Sequence, residues 1–183
     1  MSIETLKERM PAYAKDIKLN LSNIVNSTTL TKQQIWGAIL TSALAARNDF
    51  VIEAVAAEAA ENLSAEAREA AKAAAAVMAM NNIYYRSIHL IEDAELSKMP
   101  ARLRMNVIGN PGVDKLDFEL WSLAASAVNG CGMCLKAHAH EVLGKGATRE
   151  GMQDVLRIAS VVHAAAAITE GEAALQESAL AAA

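Results

Sequence analysis

The sequence has few aromatic residues, few prolines and only two cysteines. Phe, Trp and Tyr make up 4% of its 183 residues, whereas hydrophobic residues as a whole make up 53%. A core of this composition must be built mainly from Ala, Leu, Ile, Val and Met, which favours helices over strands. A chain of this length can bury roughly two thirds of its unfolded surface. We therefore expect residues 1–183 to form a single domain that needs no disulfide to stay folded.

Several classes of partner are disfavoured by what the chain lacks. The net charge is -4, and no basic stripe is interleaved with aromatic residues, which argues against nucleic acid. The longest uncharged stretch, 120–135, has 16 residues, fewer than the roughly 20 of a membrane-spanning helix. The segment 1–9 alternates charged and apolar residues and has no signal-peptide core. The sequence therefore predicts a cytoplasmic protein without membrane association.

Capping and turn signals divide the chain into helical segments with almost no strand-like alternation. Thr31 and Gln34 form a capping-box pattern, and the dipeptide Asn48-Asp49 ends the helix that follows it. Ser2, Ser64 and Thr148 are further expected N-caps. Helices are predicted at about 50–61, 64–90, 115–128, 131–143 and 149–175, with 100–114 as a connector. The predicted fold is an all-α, single-domain helical bundle.

A weak internal repeat runs through this pattern at an offset of 85 residues. It predicts two related halves, roughly 30–90 and 115–175, that share one core. Chance similarity in an Ala-rich chain is the alternative. The matched pairs are Trp36 and Trp121, Thr41 and Ser126, Val77 and Val162, and Ile83 and Ile168.

The two cysteines, Cys131 and Cys134, form one C-x-x-C motif. A structural disulfide stabilises by closing a long loop, and this pair closes almost none. A structural zinc site usually needs a second Cys/His pair, which the sequence does not contain. In a reducing cytosol an idle disulfide is unusual. The motif therefore indicates a dithiol that is oxidised and reduced during function.

Helical spacing places Cys131, Cys134 and His138 within a narrow arc of one helix face, so both thiols and the imidazole could share a pocket. The turn signal at 129–130 predicts that a helix starts there and that Cys131 lies in its first turn. The helix dipole at that position favours thiolate over thiol.

Glu119 is the one charge in the otherwise uncharged segment 118–128. It could simply favour the dipole of its own helix from the first turn. Alternatively, it leans on the thiol pocket and transfers protons together with His138. His140 points away from Cys131 and is predicted to lie on the surface. Two groups are predicted to be structural: the lone histidines, His89 and His163, and the methionines, which include Met78, Met80 and Met133.

The pattern E-x11-C-x2-C-x3-H, formed by Glu119, Cys131, Cys134 and His138, resembles that of the alkyl hydroperoxidase D family, within the carboxymuconolactone decarboxylase-like superfamily. The similarity covers nearly the whole chain. Other segments that carry it are 13–21, 80–82, 103–106 and 118–122.

The resemblance implies an all-α homotrimer with no bound cofactor or metal. It further implies direct reduction of organic hydroperoxides, recycling of the peroxiredoxin alkyl hydroperoxide reductase C, and reducing equivalents from dihydrolipoyl groups on a 2-oxoacid dehydrogenase component. Carried over by motif, Cys134 meets the peroxide and passes through sulfenic acid. Cys131 is then its proton donor and resolving partner, which gives a redox disulfide between the two, with Glu119 and His138 in the proton transfers.

Two observations stand against parts of this assignment. Dipole reasoning alone activates Cys131 more than Cys134. Close relatives can carry Ser-His between the cysteines, where this chain has Gly132-Met133, so a proton relay through that inner histidine is missing. Two other functions stay open: a dithiol adaptor that relays electrons between proteins without reacting with peroxide, and a metal-binding module that uses Cys131, Cys134, His138 and Glu119.

Overall fold

The protein is all-α, as the sequence predicts. The computed structural model describes residues 2–181, with side chains to residue 176, and no described residue belongs to a strand. A 3-10 turn at Ala12–Ala14 precedes the second helix. The helices are α1 (Ile3–Glu8), α2 (Lys15–Asn23), α3 (Lys32–Ala46), α4 (Asp49–Asn62), α5 (Ala65–Ile91), α6 (Ala94–Lys98), α7 (Asn106–Gly109), α8 (Lys115–Val128), α9 (Gly132–Gly144) and α10 (Arg149–Ala181).

The predicted caps explain where most of these helices begin. Thr31 and Gln34 form a complete capping box at α3, because each side chain bonds to the backbone of the other. The Ser2 and Ser64 hydroxyls accept N–H bonds at α1 and α5, and Thr148 accepts one from Gly151. The predicted connector 100–114 is less irregular than expected, since α7 lies within it.

The centre of the bundle is the contact between α3 and α8, which α5 and α10 also join. Trp121 of α8 is fully buried there, and its indole N–H donates to the Gln34 carbonyl at 3.2 Å. The ring lies against Gly37, where a Cβ atom would come within 2.0 Å of it. Glycine is therefore required in α3 for the two helices to approach this closely. The packing fixes α8, and with it Glu119, relative to the rest of the core.

Helix lengths recur along the chain. The helices α3, α4 and α5 have 15, 14 and 27 residues, and α8, α9 and α10 have 14, 13 and 33. Both tryptophans of the repeat, Trp36 and Trp121, are buried. A common origin of the two halves stays a prediction.

Among the residues that the structure describes, one helix has the length and composition to cross a membrane, namely the stretch Arg149–Gln176 of α10, with a mean hydropathy of 1.2. A core helix passes the same test, and α10 packs against α3 and α8. Its buried residues include Val155, Ile158, Ala159, Val162 and Ala165. The prediction of no membrane association therefore stays a prediction.

Candidate thiol site

The two cysteines lie where α8 turns into α9. Gly130 adopts a left-handed backbone conformation, with φ of 67°, and reverses the chain after α8. Cys131 is then the N-cap of α9, with extended backbone angles, and its Sγ accepts the backbone N–H of Cys134 at 3.3 Å. The expectation that Cys131 lies in the first helical turn is thus wrong by one residue. Its sulfur takes the capping role that a Ser or Asp oxygen usually has.

Both cysteines are free thiols, and their sulfur atoms are 2.7 Å apart. A disulfide bond is about 2.05 Å long, so only a small movement separates the pair from bonding. Cys131 is completely buried, whereas Cys134 keeps 6% of its surface exposed. A molecule arriving from outside therefore meets Cys134 first.

Cys134 faces a cavity of about 270 Å³, and Cys131 lies behind it. The cavity lies between α5, α7 and α9. Most of its lining is apolar or thioether, and His138 is the one imidazole. The lining residues are Met78, Asn81, Tyr85, Met105, Ile108, Met133, Cys134, Ala137 and His138. Such a cavity suits a small ligand with an apolar body.

His138 is held between two acceptors. Its Nδ1 lies 2.7 Å from Glu119 Oε2 and its Nε2 lies 3.2 Å from Met78 Sδ. Neither a carboxylate nor a thioether has a proton to donate. The short contact therefore places a proton between Glu119 Oε2 and His138 Nδ1, beside the cavity. Both side chains are only 12% exposed.

Behind the thiols lies a buried polar network centred on Asn82, which the sequence did not mark as functional. The Asn82 amide donates to Ser126 Oγ at 2.9 Å and accepts from the Asn129 amide at 2.9 Å. Ser126 also accepts the Cys131 N–H through its carbonyl oxygen at 3.1 Å. Arg86 donates to the Asn129 carbonyl from outside. The network fixes the turn that carries Cys131.

Burial, together with the hydrogen bond to Cys131, raises the pKa of the Cys134 thiol to about 12, while Asn82 opposes the change. Cys131 Sγ accepts a backbone N–H at the start of α9, which is the contact that the dipole argument invokes.

The other histidines considered in the sequence analysis lie away from the cavity, whereas several methionines line it. His140, His89 and His163 are exposed, and none lines the cavity. The prediction that the methionines mostly fill the core is confirmed for Met78, which is buried there and also lines the cavity, whereas Met133 is half-buried and lines the cavity too. The sequence also missed Met105, which the connector brings to the same cavity.

The four residues of the motif do not form a metal site. No group of three or more His, Cys, Asp or Glu residues in the described chain could hold a metal ion. The two ring nitrogens of His138 face Glu119 and Met78 rather than the sulfurs. The hypothesis of a metal-binding module built on Cys131, Cys134, His138 and Glu119 therefore has no support in the geometry.

Comparison with protein-family models gives a match to the carboxymuconolactone decarboxylase family. Residues 94–177 match the model of the carboxymuconolactone decarboxylase family, a range that includes Glu119, both cysteines and His138.

Relatives that match over more than 90% of this chain identify a narrower family. The chain is 59% identical over 175 residues to alkyl hydroperoxide reductase AhpD of Rhodospirillum centenum, which covers 96% of this chain and 94% of that protein. It is 55% identical over 170 residues to the AhpD of Frankia alni, with 93% and 92% covered. With the AhpD of Gluconacetobacter diazotrophicus the identity is 58% over 175 residues, and 96% of each chain is covered. The chain belongs to the AhpD family, as the resemblance in its sequence predicted.

Proposed function

We propose that this protein is an antioxidant, thiol-dependent alkyl hydroperoxidase in which Cys131 and Cys134 form a redox disulfide. One observation carries the proposal: two free sulfurs 2.7 Å apart, one of them facing a largely apolar cavity that also contains His138. The names of the relatives, alkyl hydroperoxide reductase, support the same activity.

The first step is the transfer of oxygen from hydroperoxide to Cys134. Cys134 loses its proton to water, and its Sγ accepts the S–H of Cys131 at 2.7 Å. The Cys134 thiolate then attacks the outer peroxide oxygen, the O–O bond breaks and an S–O bond forms. The departing alkoxide takes a proton from the His138 and Glu119 pair and leaves as alcohol. Cys134 is then a sulfenic acid.

The second step closes the disulfide. Cys131 attacks the sulfenic sulfur, the S–O bond breaks, and the Cys131 proton leaves with hydroxide as water. The short distance between the sulfurs makes this step intramolecular and fast. A dihydrolipoyl dithiol then reduces the disulfide by exchange and becomes a cyclic disulfide itself. The net reaction converts hydroperoxide and dihydrolipoyl into alcohol, water and lipoyl.

Cysteine substitutions test this cycle. Cys134→Ser should abolish consumption of cumene hydroperoxide with dihydrolipoamide as reductant. Cys131→Ser is the matched control. In this variant hydroperoxide should still oxidise Cys134 once, but the product should be a sulfenic acid that dimedone traps, because no disulfide can form. Full turnover by Cys134→Ser would contradict the proposal.

A dithiol adaptor that only relays electrons between proteins is the second candidate. The observation that favours it is the buried Cys134 thiol, whose pKa of about 12 leaves little thiolate at neutral pH. Counting free thiols after mixing reduced protein with hydroperoxide, without any partner, separates the two functions. A peroxidase loses both thiols, and an adaptor keeps both.

Partners enter the proposal from the family resemblance. We propose a peroxiredoxin, alkyl hydroperoxide reductase C, as an electron acceptor and a lipoylated dehydrogenase component as donor, in the cytoplasm and with no bound cofactor. Reduced protein should convert an oxidised peroxiredoxin of this kind back to its thiol form. No gain in peroxiredoxin thiols would contradict this part of the proposal and leave the direct peroxidase activity intact.

We also propose a homotrimer. Exposed apolar side chains on the C-terminal part of α5 support contact with another copy: Ile83, Leu90 and Ile91 are 57–71% exposed. Light scattering should give about three times the monomer mass of 19.4 kDa, and a monomeric mass would contradict the trimer.

A further inference from the structure

Three of the eight methionines of this chain, Met78, Met105 and Met133, line the cavity that Cys134 faces. Met78 is buried, and its sulfur lies 3.2 Å from the His138 ring. Met105 and Met133 are half-buried and come from different parts of the chain, one from the connector and one from α9. A ligand in a cavity of about 270 Å³ is therefore close to several thioethers as well as to the thiol.

Thioethers and thiols differ in what they need before they react with peroxide. A cysteine must ionise first, and burial raises the pKa of Cys134 to about 12. A methionine sulfur needs no proton loss. It attacks the outer peroxide oxygen, the O–O bond breaks, and the sulfur loses two electrons to become a sulfoxide. The hydroxyl proton passes to the alkoxide, which leaves as alcohol, so one hydroperoxide gives one sulfoxide and one alcohol.

We propose that Met105 and Met133 are sites of sulfoxide formation, oxidised by organic hydroperoxides that the cavity holds. This inference rests on the proposed function in one respect, namely that hydroperoxide enters the cavity. Oxidation at Met78 is slower, because its side chain is buried and its sulfur is engaged by His138.

A sulfoxide would change what the cavity binds. The side chain gains a polar oxygen in a space lined mostly by apolar atoms. Apolar hydroperoxides should then bind less well, so KM should rise. Methionine sulfoxide reductases should lower KM again, so the modification would be a reversible response to exposure to hydroperoxide.

Two methionines outside the cavity provide internal controls. Met99 is 62% exposed, and Met152 is half-buried on α10. The experiment treats two samples with cumene hydroperoxide or with hydrogen peroxide, and peptide mass mapping follows oxidation at each methionine. One sample is Cys131→Ser/Cys134→Ser. The other is wild type already oxidised to the disulfide, and its result does not depend on whether the double variant folds.

With cumene hydroperoxide, Met105 and Met133 should oxidise roughly tenfold faster than Met152, because partial burial of the aryl group raises the local concentration by about that factor. They should also oxidise faster than Met99. With hydrogen peroxide, which has no apolar body, the order should follow exposure, so that Met99 reacts first. The inference is overturned if Met99 leads with both oxidants, or if Met105 and Met133 match Met152.

A kinetic measurement adds a functional readout. Wild type pretreated with cumene hydroperoxide and then reduced at its thiols should show a raised KM, and treatment with both methionine sulfoxide reductases should reverse it. Met105→Leu/Met133→Leu should not show that rise on pretreatment. An equal rise in the double variant would overturn the inference. Failure of the proposed function is read separately, as thiols that hydroperoxide does not consume.

Discussion

Glu119 Oε2 lies 2.7 Å from His138 Nδ1, and this contact joins α8 to α9 beside the two thiols. The carboxylate fixes the ring so that its other nitrogen faces Met78 at the edge of the cavity. In the proposed reaction, this pair would supply a proton to the departing alkoxide.

Substitution of Glu119 by Gln tests this role. The variant keeps a side-chain oxygen near His138 but removes the carboxylate that contacts the ring. We expect kcat for cumene hydroperoxide to fall by a factor of roughly 10–100, with a smaller change in KM. The measurement is steady-state turnover with dihydrolipoamide. Glu141→Gln is the control, since Glu141 lies on α9 but pairs with Lys145 at the surface. Equal kcat values in the two variants would show that the carboxylate has no part in proton transfer.

Reduced protein should lose stability in alkaline solution through Cys134. Its pKa rises from 9.0 to about 12 on folding, so the fold favours the protonated thiol. This stabilisation is complete below about pH 9 and is lost as the pH rises towards 12. Between pH 9 and 11, the free energy of unfolding of reduced wild type should fall more steeply than that of Cys134→Ala, measured by urea unfolding. Tyrosines and lysines titrate in both proteins, so parallel curves would refute the raised pKa.

Asn82→Ala should weaken both the fold and the thiol site. It leaves the Ser126 and Asn129 side chains without their partner, at a cost of about 1–3 kcal/mol in the free energy of unfolding. Asn82 lowers the pKa of Cys134, so its loss should raise that pKa and slow alkylation of Cys134 by iodoacetamide at pH 9.

The control for that experiment is Asn26→Ala. Asn26 is exposed and bonds only to the Ser22 carbonyl among the contacts of its side chain, so its loss should change stability by less than about 0.5 kcal/mol. If Cys134 is alkylated at an unchanged rate in Asn82→Ala, the Asn82 network does not influence the reactivity of this thiol.

Two helical glycines should respond oppositely to alanine. In Gly37→Ala the new Cβ meets the Trp121 ring at 2.0 Å, so the variant should lose about 3 kcal/mol of stability. In Gly171→Ala nothing lies within 4 Å, and helix propensity should add about 0.5–1 kcal/mol. Thermal unfolding of both variants measures the difference. A Gly37→Ala protein as stable as wild type would mean that α3 and α8 do not pack this closely.

Much of the fold could be predicted because helix ends depend on local signals. Thr31, Ser64 and Ser2 each cap the helix that follows within three residues, so the sequence alone identifies them. The start of α9 was harder to place. The left-handed conformation of Gly130 delays the helix by one residue, and this turned Cys131 from a helical residue into a cap.

The surroundings of the thiols depend on distant parts of the chain. Helical spacing brought Cys134 and His138 to one face, but it could not show that Asn82 meets Ser126, 44 residues away. Met78 lies 60 residues before His138, and in the sequence it looks like any other core methionine. Such contacts follow from tertiary packing, which no local pattern encodes.

The complete burial of Cys131 also determines how a disulfide between Cys131 and Cys134 would be reduced. An incoming reductant can touch only Cys134, so the mixed disulfide must form there and expel Cys131. The expelled sulfur departs as an anion into the N–H bond at the start of α9, and a stabilised anion leaves fastest in thiol exchange. In the proposed cycle, Cys131 would thus be the leaving group when the disulfide is reduced, and Cys134 would be the sulfur that both hydroperoxide and reductant reach.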